Sequence, residues 1–354
     1  MSLKKKILCG FMAVAMAFTA TACTGKSNEK IVATYNDAEI PSGIYIYGMI
    51  SSLNDAKSKL SDPKADVLTT EIDGVVGSEW IVNEAKKFVS QYVAVSEMFD
   101  ELALKLTAKQ LEQIDDTIES LSTEQNKDFG DSLLKNGIAF SSYESVLQNS
   151  EKISTMFPFY YGKDGVAPIP ESELKAQYEK MYRSVAMMQI SLADPSGKPF
   201  DETNKKAMQD AADDYFKRAT QGESFAKIYA DYELFTAQDK DTNPEEKTEE
   251  PEAFLIDSSN EYLPENFISE LDKVKVGEYI KTEKDEFILI AKKHDVYEKP
   301  EDFENMTNAI ISQLKSAEFN DIIKAKADEI SEKIVYNENA IKVFSAKKIA
   351  AKNK

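Results

Sequence analysis

The chain has 354 residues, 42% of them hydrophobic, and a formal charge of −19 from 62 acidic and 43 basic residues. That length holds one large or two to three ordinary domains, and so acidic a surface repels nucleic acid and anionic lipid headgroups. A single histidine, His294, and only two cysteines exclude the common zinc sites, which gather several such ligands.

Lys4, Lys5 and Lys6 open the chain, and Ile7 to Phe18 is an apolar run too short to span a bilayer comfortably. Ala20-Thr21-Ala22-Cys23 closes it. These residues resemble the lipobox of bacterial lipoproteins, with Ala20 where the family usually has Leu. The resemblance implies a signal peptide over 1–22, acyl chains on Cys23 and a polar lipidated tether over 23–30. More than one acyl chain would anchor the protein stably on the extracytoplasmic face of the bacterial cell membrane. Cys9 lies in the segment to be removed, so no intramolecular disulfide is expected. An ordinary secretory signal with a chance cysteine is the alternative. Removal of the three lysines makes the charge three units more negative, so the membrane partner is reached through the acyl anchor.

Ile31 to Tyr35, Asn36-Asp37 and Ala38 to Ile40 read as strand, tight turn and strand, and Ser42 reads as the cap of a following helix. Residues 60–76, polar and holding Pro63 and Gly74, read as a loop. From Ser78, Trp80, Ile81, Phe88, Tyr92, Val95 and Phe99 recur at helical spacing. Thr107 reads as the cap of the next helix, Gly137 as a stop, and Ser141 with Glu144 as a capping box. Phe157, Phe159, Tyr160 and Tyr161 form the most aromatic run. Core packing and an exposed wall for binding unfolded chains are both open to it. Pro170 begins a helix over 171–182.

Val185 to Leu192 alternates and reads as a half-buried strand. A helix from Asp201 to about Arg218 follows, then Gly222, then Ser224 capping a helix over 225–232. Residues 238–252 are acidic, with Pro244 and Pro251, and read as a solvated loop. A calcium site there lacks the alternating ligand spacing and turn glycine. Glu286 to Ala291 is the closing strand, with His294 a solvated loop residue beyond it. After Pro300 a long amphipathic helix runs past Phe319 and Ile330, interrupted or bent near Ser316. Val335 to Asn337 and Ala340 to Phe344 are the last ordered segments, and Ala346 to Lys354 reads as a frayed tail.

The segment 182–296 resembles the parvulin (rotamase) domain of peptidyl-prolyl isomerases, on Gly222, Phe225-Ala226, Tyr232, Phe267, Gly277-Glu278 and Thr282. The family histidines do not match. The first falls on Gln189, or on Met188 if the register slips by one. The second falls on Ile288 or Phe287. The family Cys or Asp falls near Leu234-Phe235, and its Met on Leu263. The resemblance implies a cup of Gln189, Leu263, Phe267, Ile288 and Phe235 able to hold a prolyl or other apolar side chain. Such a cup lacks the polar groups that would favour a twisted amide over a planar one.

The hairpin at 31–40 and the helix after Ile169-Pro170-Glu171 also resemble PrsA-type foldases and SurA-type chaperones. The expected fold class is α+β: a mostly helical, discontinuous core over 31–181 with 297–349, and an inserted parvulin-like α+β domain over 182–296. The implied function is an anchored extracytoplasmic chaperone that binds unfolded or partly folded exported proteins. An active prolyl isomerase with an altered site and a scaffold for one dedicated partner remain the alternatives. A binding protein for small solutes fits less well, because strands are sparse outside 182–296. No phosphate loop, nucleophile–base pair or cofactor signature occurs, so no cofactor and no nucleic acid are expected. The oligomeric state stays open, a dimer included.

Overall fold

Asn36 (φ 44°) and Asp37 (φ 65°) both take left-handed backbone, the geometry a two-residue hairpin turn demands. They join β1 (Ile31–Tyr35) to β2 (Ala38–Pro41) in the computed structural model, which describes residues 29–194, 196–236 and 250–353. There follow α1 (Ser42–Ser58), β3 (Glu71–Ile72), β4 (Val75–Val76), α2 (Gly77–Glu101), α3 (Ala108–Ser120), α4 (Lys127–Asn136) and α5 (Phe140–Tyr161). The chain continues through α6 (Glu171–Met181), β5 (Tyr182–Ser191), α7 (Glu202–Thr220), α8 (Phe225–Thr236), β6 (Phe254–Asp257) and α9 (Phe267–Lys273). It ends with β7 (Tyr279–Lys284), β8 (Phe287–His294), α10 (Pro300–Ser331), β9 (Val335–Tyr336), α11 (Glu338–Ile341) and α12 (Ala346–Lys352). The fold is α+β. The signal segment, Cys23 and 238–249 of the acidic stretch lie outside the described residues. Among the described residues no helix is long and apolar enough to cross a membrane.

The chain divides into two compact units. One gathers the described residues up to Pro168 with those from Lys315 onward, and the other is Ile169–Leu314. Sequence patterning places the junctions at 181/182 and 296/297. The division falls earlier and later, so that α6 and the first half of α10 group with the sheet of the second unit.

In the first unit β1 is the middle strand of the order β2-β1-β9, so strands from near the two ends of the described residues share one sheet. Ala33 pairs with Tyr336 and Thr34 with Val335, and Asn337 N–H donates to the Val32 carbonyl at 2.8 Å. Ile44, Met49 and Leu53 of α1, Ile81 and Val89 of α2, and Ile330 of α10 are buried in one core cluster. Tyr35 donates its hydroxyl to Glu97, and Lys326 reaches Glu97 and Glu101 at 2.8 Å each. Burial disfavours the Glu97 anion, but Lys326 and Tyr35 outweigh it and hold the carboxyl below its usual range.

Local signals near α1 and α5 differ from expectation, for tertiary reasons. Ser42 is the first residue of α1 rather than its cap, and its N–H is taken by the Lys30 carbonyl at 2.7 Å. Ser141 and Glu144 form no capping box. Glu29, remote in sequence, accepts from Ala139 N–H at 3.3 Å and from the Ser142 hydroxyl at 2.7 Å, and so occupies the end of α5. Thr107 does cap α3, in a reciprocal pair with Gln110. The polar stretch 60–76 contains the small β3–β4 hairpin. Residues 346–352 are the helix α12, whose Ala346 and Ile349 are buried in the core, and Asn353 hydrogen-bonds Asn136 at 2.9 Å. A basic sequence with one buried stripe looks polar when read linearly. The helix α10 is not interrupted at Ser316 but runs unbroken from Pro300 to Ser331.

The second unit carries a four-stranded antiparallel sheet, order β6-β5-β8-β7. Its alternation assigns two faces. Ala186, Met188, Ile190, Ile288 and Ile290 pack with Tyr215 of α7 and Phe225 and Ile228 of α8. Val185, Leu289, Ala291 and Ile280 pack with Phe267 and Leu271 of α9. Asp201 caps α7 by accepting from Asn204 N–H at 2.8 Å. The start of α8 is closed from outside: Glu250 accepts from Phe225 N–H at 3.0 Å and from the Ser224 hydroxyl at 2.9 Å. A carboxylate suits that position, because a helix N-terminus carries partial positive charge.

Candidate functional site

The face of the sheet that carries α9 also carries a pocket. Gln189, Leu289 and Thr282 stand in one row across β5, β8 and β7, since Gln189 pairs with Leu289 and Leu289 with Thr282. Side chains of directly opposed residues share a face. Met187 lies two residues earlier on the same face. The pocket has a volume of about 330 Å³ and is lined by Met187, Gln189, Tyr262, Leu263, Lys284, Asp285, Glu286, Phe287 and Leu289. Leu289 is buried, Met187, Leu263 and Phe287 are half-buried, and the remainder are exposed. The Thr282 hydroxyl is buried without a hydrogen-bond partner among the described residues.

The residues expected from sequence divide three ways. Gln189 and Leu263 line the pocket. Phe267 is fully buried in the cluster that contains Leu289, so it supports this face without lining the pocket. Ile288 is a correction: it points to the opposite face, among the side chains of α7 and α8. Of the two positions open to the second family histidine, only Phe287 lies at the pocket. Phe235, 50% exposed near the end of α8, belongs to neither core cluster and does not line the pocket.

Met187, Tyr262, Leu289 and residues 284–286 escape a linear reading. The alternation of β5 could have supplied Met187, two residues from Gln189. The run Phe287 to Ala291 is apolar throughout, because both faces of β8 are covered, so its period does not distinguish Ile288 from Leu289.

The polar groups around the pocket bind and position. The Lys284 ammonium donates to the carbonyls of Glu261 at 3.0 Å and Tyr262 at 3.2 Å, which ties the end of β7 to the loop bearing Tyr262. At the outer end of β5, Arg183 grips Asp272 of α9 through two bonds of 2.7 and 3.0 Å. That contact holds the Asp272 carboxyl below its usual range. His294 is not a solvated loop residue: it ends β8, half-buried, with Nδ1 2.7 Å from Glu298 Oε2. It does not line the pocket. An apolar floor with one amide, that of Gln189, can receive a hydrophobic side chain. It offers no histidine to act on a prolyl amide.

The aromatic run of the first unit is chiefly core. Tyr160 and Tyr161 are buried, and Phe157, Tyr160 and Tyr161 all pack on Phe319, with ring centroids 5.3 to 6.2 Å apart. Phe159 is 37% exposed. Among the described residues no cluster of His, Cys, Asp and Glu could hold a metal.

Solved structures with some likeness to this chain include three foldases. The foldase protein PrsA of Streptococcus pneumoniae is 15% identical, over 78% of this chain and 98% of that one, with a TM-score of 0.38. The Lactococcus lactis foldase protein PrsA is 13% identical, over 89% and 99%, also at 0.38. PrsA of Bacillus subtilis is 15% identical, over 75% and 90%, at 0.25. At these TM-scores the likeness assigns neither fold nor function to this chain. No family model matches it, and no curated protein does.

Proposed function

We propose that this protein is an extracytoplasmic chaperone of the PrsA and SurA kind, anchored through acyl chains on Cys23, that binds unfolded or partly folded exported proteins. On this reading the second unit is a parvulin-like domain that keeps a binding cup and has lost its catalysis. The pocket carries the proposal: Met187, Leu263, Phe287 and Leu289 make it apolar, Gln189 stands where the resemblance places a histidine, and His294 lies outside it. Rotation about a prolyl bond meets a barrier of roughly 18–20 kcal/mol, and lowering it requires tighter binding of the twisted amide. An apolar cup binds both forms alike, which supports capture of chains without turnover. The chain's acidity fits a scaffold that stays soluble while holding sticky segments.

The test measures two activities of the full chain side by side. Suppression of aggregation of a chemically unfolded protein is expected near equimolar ratio. Prolyl-peptide isomerisation is expected to stay at the uncatalysed rate. Turnover that disappears in Gln189→Ala would establish the isomerase alternative. Retrieval of one partner in fixed ratio, without general suppression of aggregation, would establish the dedicated scaffold.

A further inference from the structure

The rim of the pocket is not neutral. Lys284 ends β7, Asp285 and Glu286 make the turn into β8, and all three line the pocket. They are not equivalent. The Lys284 ammonium is already directed at the carbonyls of Glu261 and Tyr262. Asp285 and Glu286 are exposed, and among the described residues no hydrogen bond or ion pair engages either carboxylate. Two unengaged anions therefore stand beside an apolar floor of Met187, Leu263, Phe287 and Leu289, on a chain whose net charge of −19 adds a long-range field of the same sign.

Resting on the proposed function, we infer that the pocket selects extended segments in which an apolar side chain is followed or preceded by Lys or Arg. The apolar group enters among Met187, Leu263 and Leu289, and the neighbouring cation meets Asp285 and Glu286 at the mouth. Rim charges of this kind set preference and association rate more than total affinity. A strand rises about 3.3 Å per residue, so an adjacent or next-but-one side chain reaches the rim while its neighbour fills the floor. Segments flanked by Glu or Asp are repelled by the same two carboxylates.

Fluorescence anisotropy on the full chain tests this with three labelled peptides that share one Phe-Pro core flanked by Lys, Gln or Glu. The Lys peptide is expected to bind about threefold to tenfold more tightly than the Glu peptide, the scale two exposed ion pairs supply. The preference should fall as salt is raised from about 20 to about 300 mM, as screening requires. In Asp285→Asn/Glu286→Gln the preference of Lys over Glu peptide should shrink to within about twofold. Equal binding of all three peptides by the unaltered chain would overturn the charge selection and leave apolar capture standing. Absence of binding by all three would overturn both.

Discussion

Ala33 of the first strand lies directly opposite Tyr336 of the last, in an antiparallel ladder that closes the first unit with the two ends of the described chain. The Tyr336 hydroxyl donates to the Lys86 carbonyl at 3.2 Å, and the Lys86 ammonium sits 4.8 Å from the Tyr336 ring centre. The sheet and the returning segment are thereby tied to α2. Helix α12, beyond that last strand, extends the same core. Its Ile349 is 2% exposed there, so Ile349→Ala should lower stability by about 2–5 kcal/mol, the range for deleting a buried aliphatic side chain. Urea unfolding monitored through Trp80 fluorescence measures it. A loss under about 0.5 kcal/mol would show α12 to be dispensable.

Tyr35 predicts an alkaline limit. Burial first, then the bond to the Glu97 carboxylate, pushes its hydroxyl from 10.0 up to about 12. The contribution is whole below pH 10 and is lost as the pH rises through about 12. Tyr35→Phe should cost about 1 kcal/mol near neutral pH, the usual worth of one hydrogen bond. That gap should narrow toward pH 12, whereas a gap constant up to that pH would contradict the assignment.

Gly43 predicts a steric limit. A Cβ there would stand 2.3 Å from Glu29 Oε1 and 2.4 Å from Ser142 Cβ, in the contact that closes the end of α5. Gly43→Ala should destabilise by about 1–3 kcal/mol through overpacking and displacement of Glu29. Thermal melts of Gly43→Ala against Glu29→Gln separate the two causes: a larger drop in the first is expected.

Arg218 predicts an acid limit in the second unit. It binds Glu223 at 2.7 and 3.0 Å and also reaches Asp231, linking α7 to α8. The bond to Arg218, against a smaller burial effect, lowers the Glu223 carboxyl from 4.5 to about 2. Its contribution is present above pH 4.5 and is lost as the pH falls through about 2. Glu223→Gln should therefore lower stability at neutral pH and flatten the acid limb between those values. Circular dichroism during acid titration reads this, and superimposable acid limbs would refute it.

Leu263 predicts the chemistry of the pocket. Leu263→Ser places a hydroxyl in the floor while leaving the sheet ladder intact. Binding of the Lys-flanked peptide should weaken roughly tenfold, as loss of an apolar contact of a few methylenes implies. Far-ultraviolet dichroism should be unchanged. Unaltered binding would place the peptide elsewhere.

Sequence alone determined the elements whose signals are local. The Asn36-Asp37 turn, the Thr107 cap, the Asp201 start of α7 and the period of α2 depend on residues within one turn or one hairpin of each other, so linear order contains them. It also determined that His294 is the only histidine, and hence that no histidine pair is available. Tertiary structure decided the rest. Glu29 closing α5 and Glu250 closing α8 involve partners far away in the chain. The burial of α12 depends on a core assembled from both ends. Which of Ile288 and Leu289 faces the pocket is fixed only by pairing with β5, because a strand covered on both sides has no polar alternation to reveal its faces.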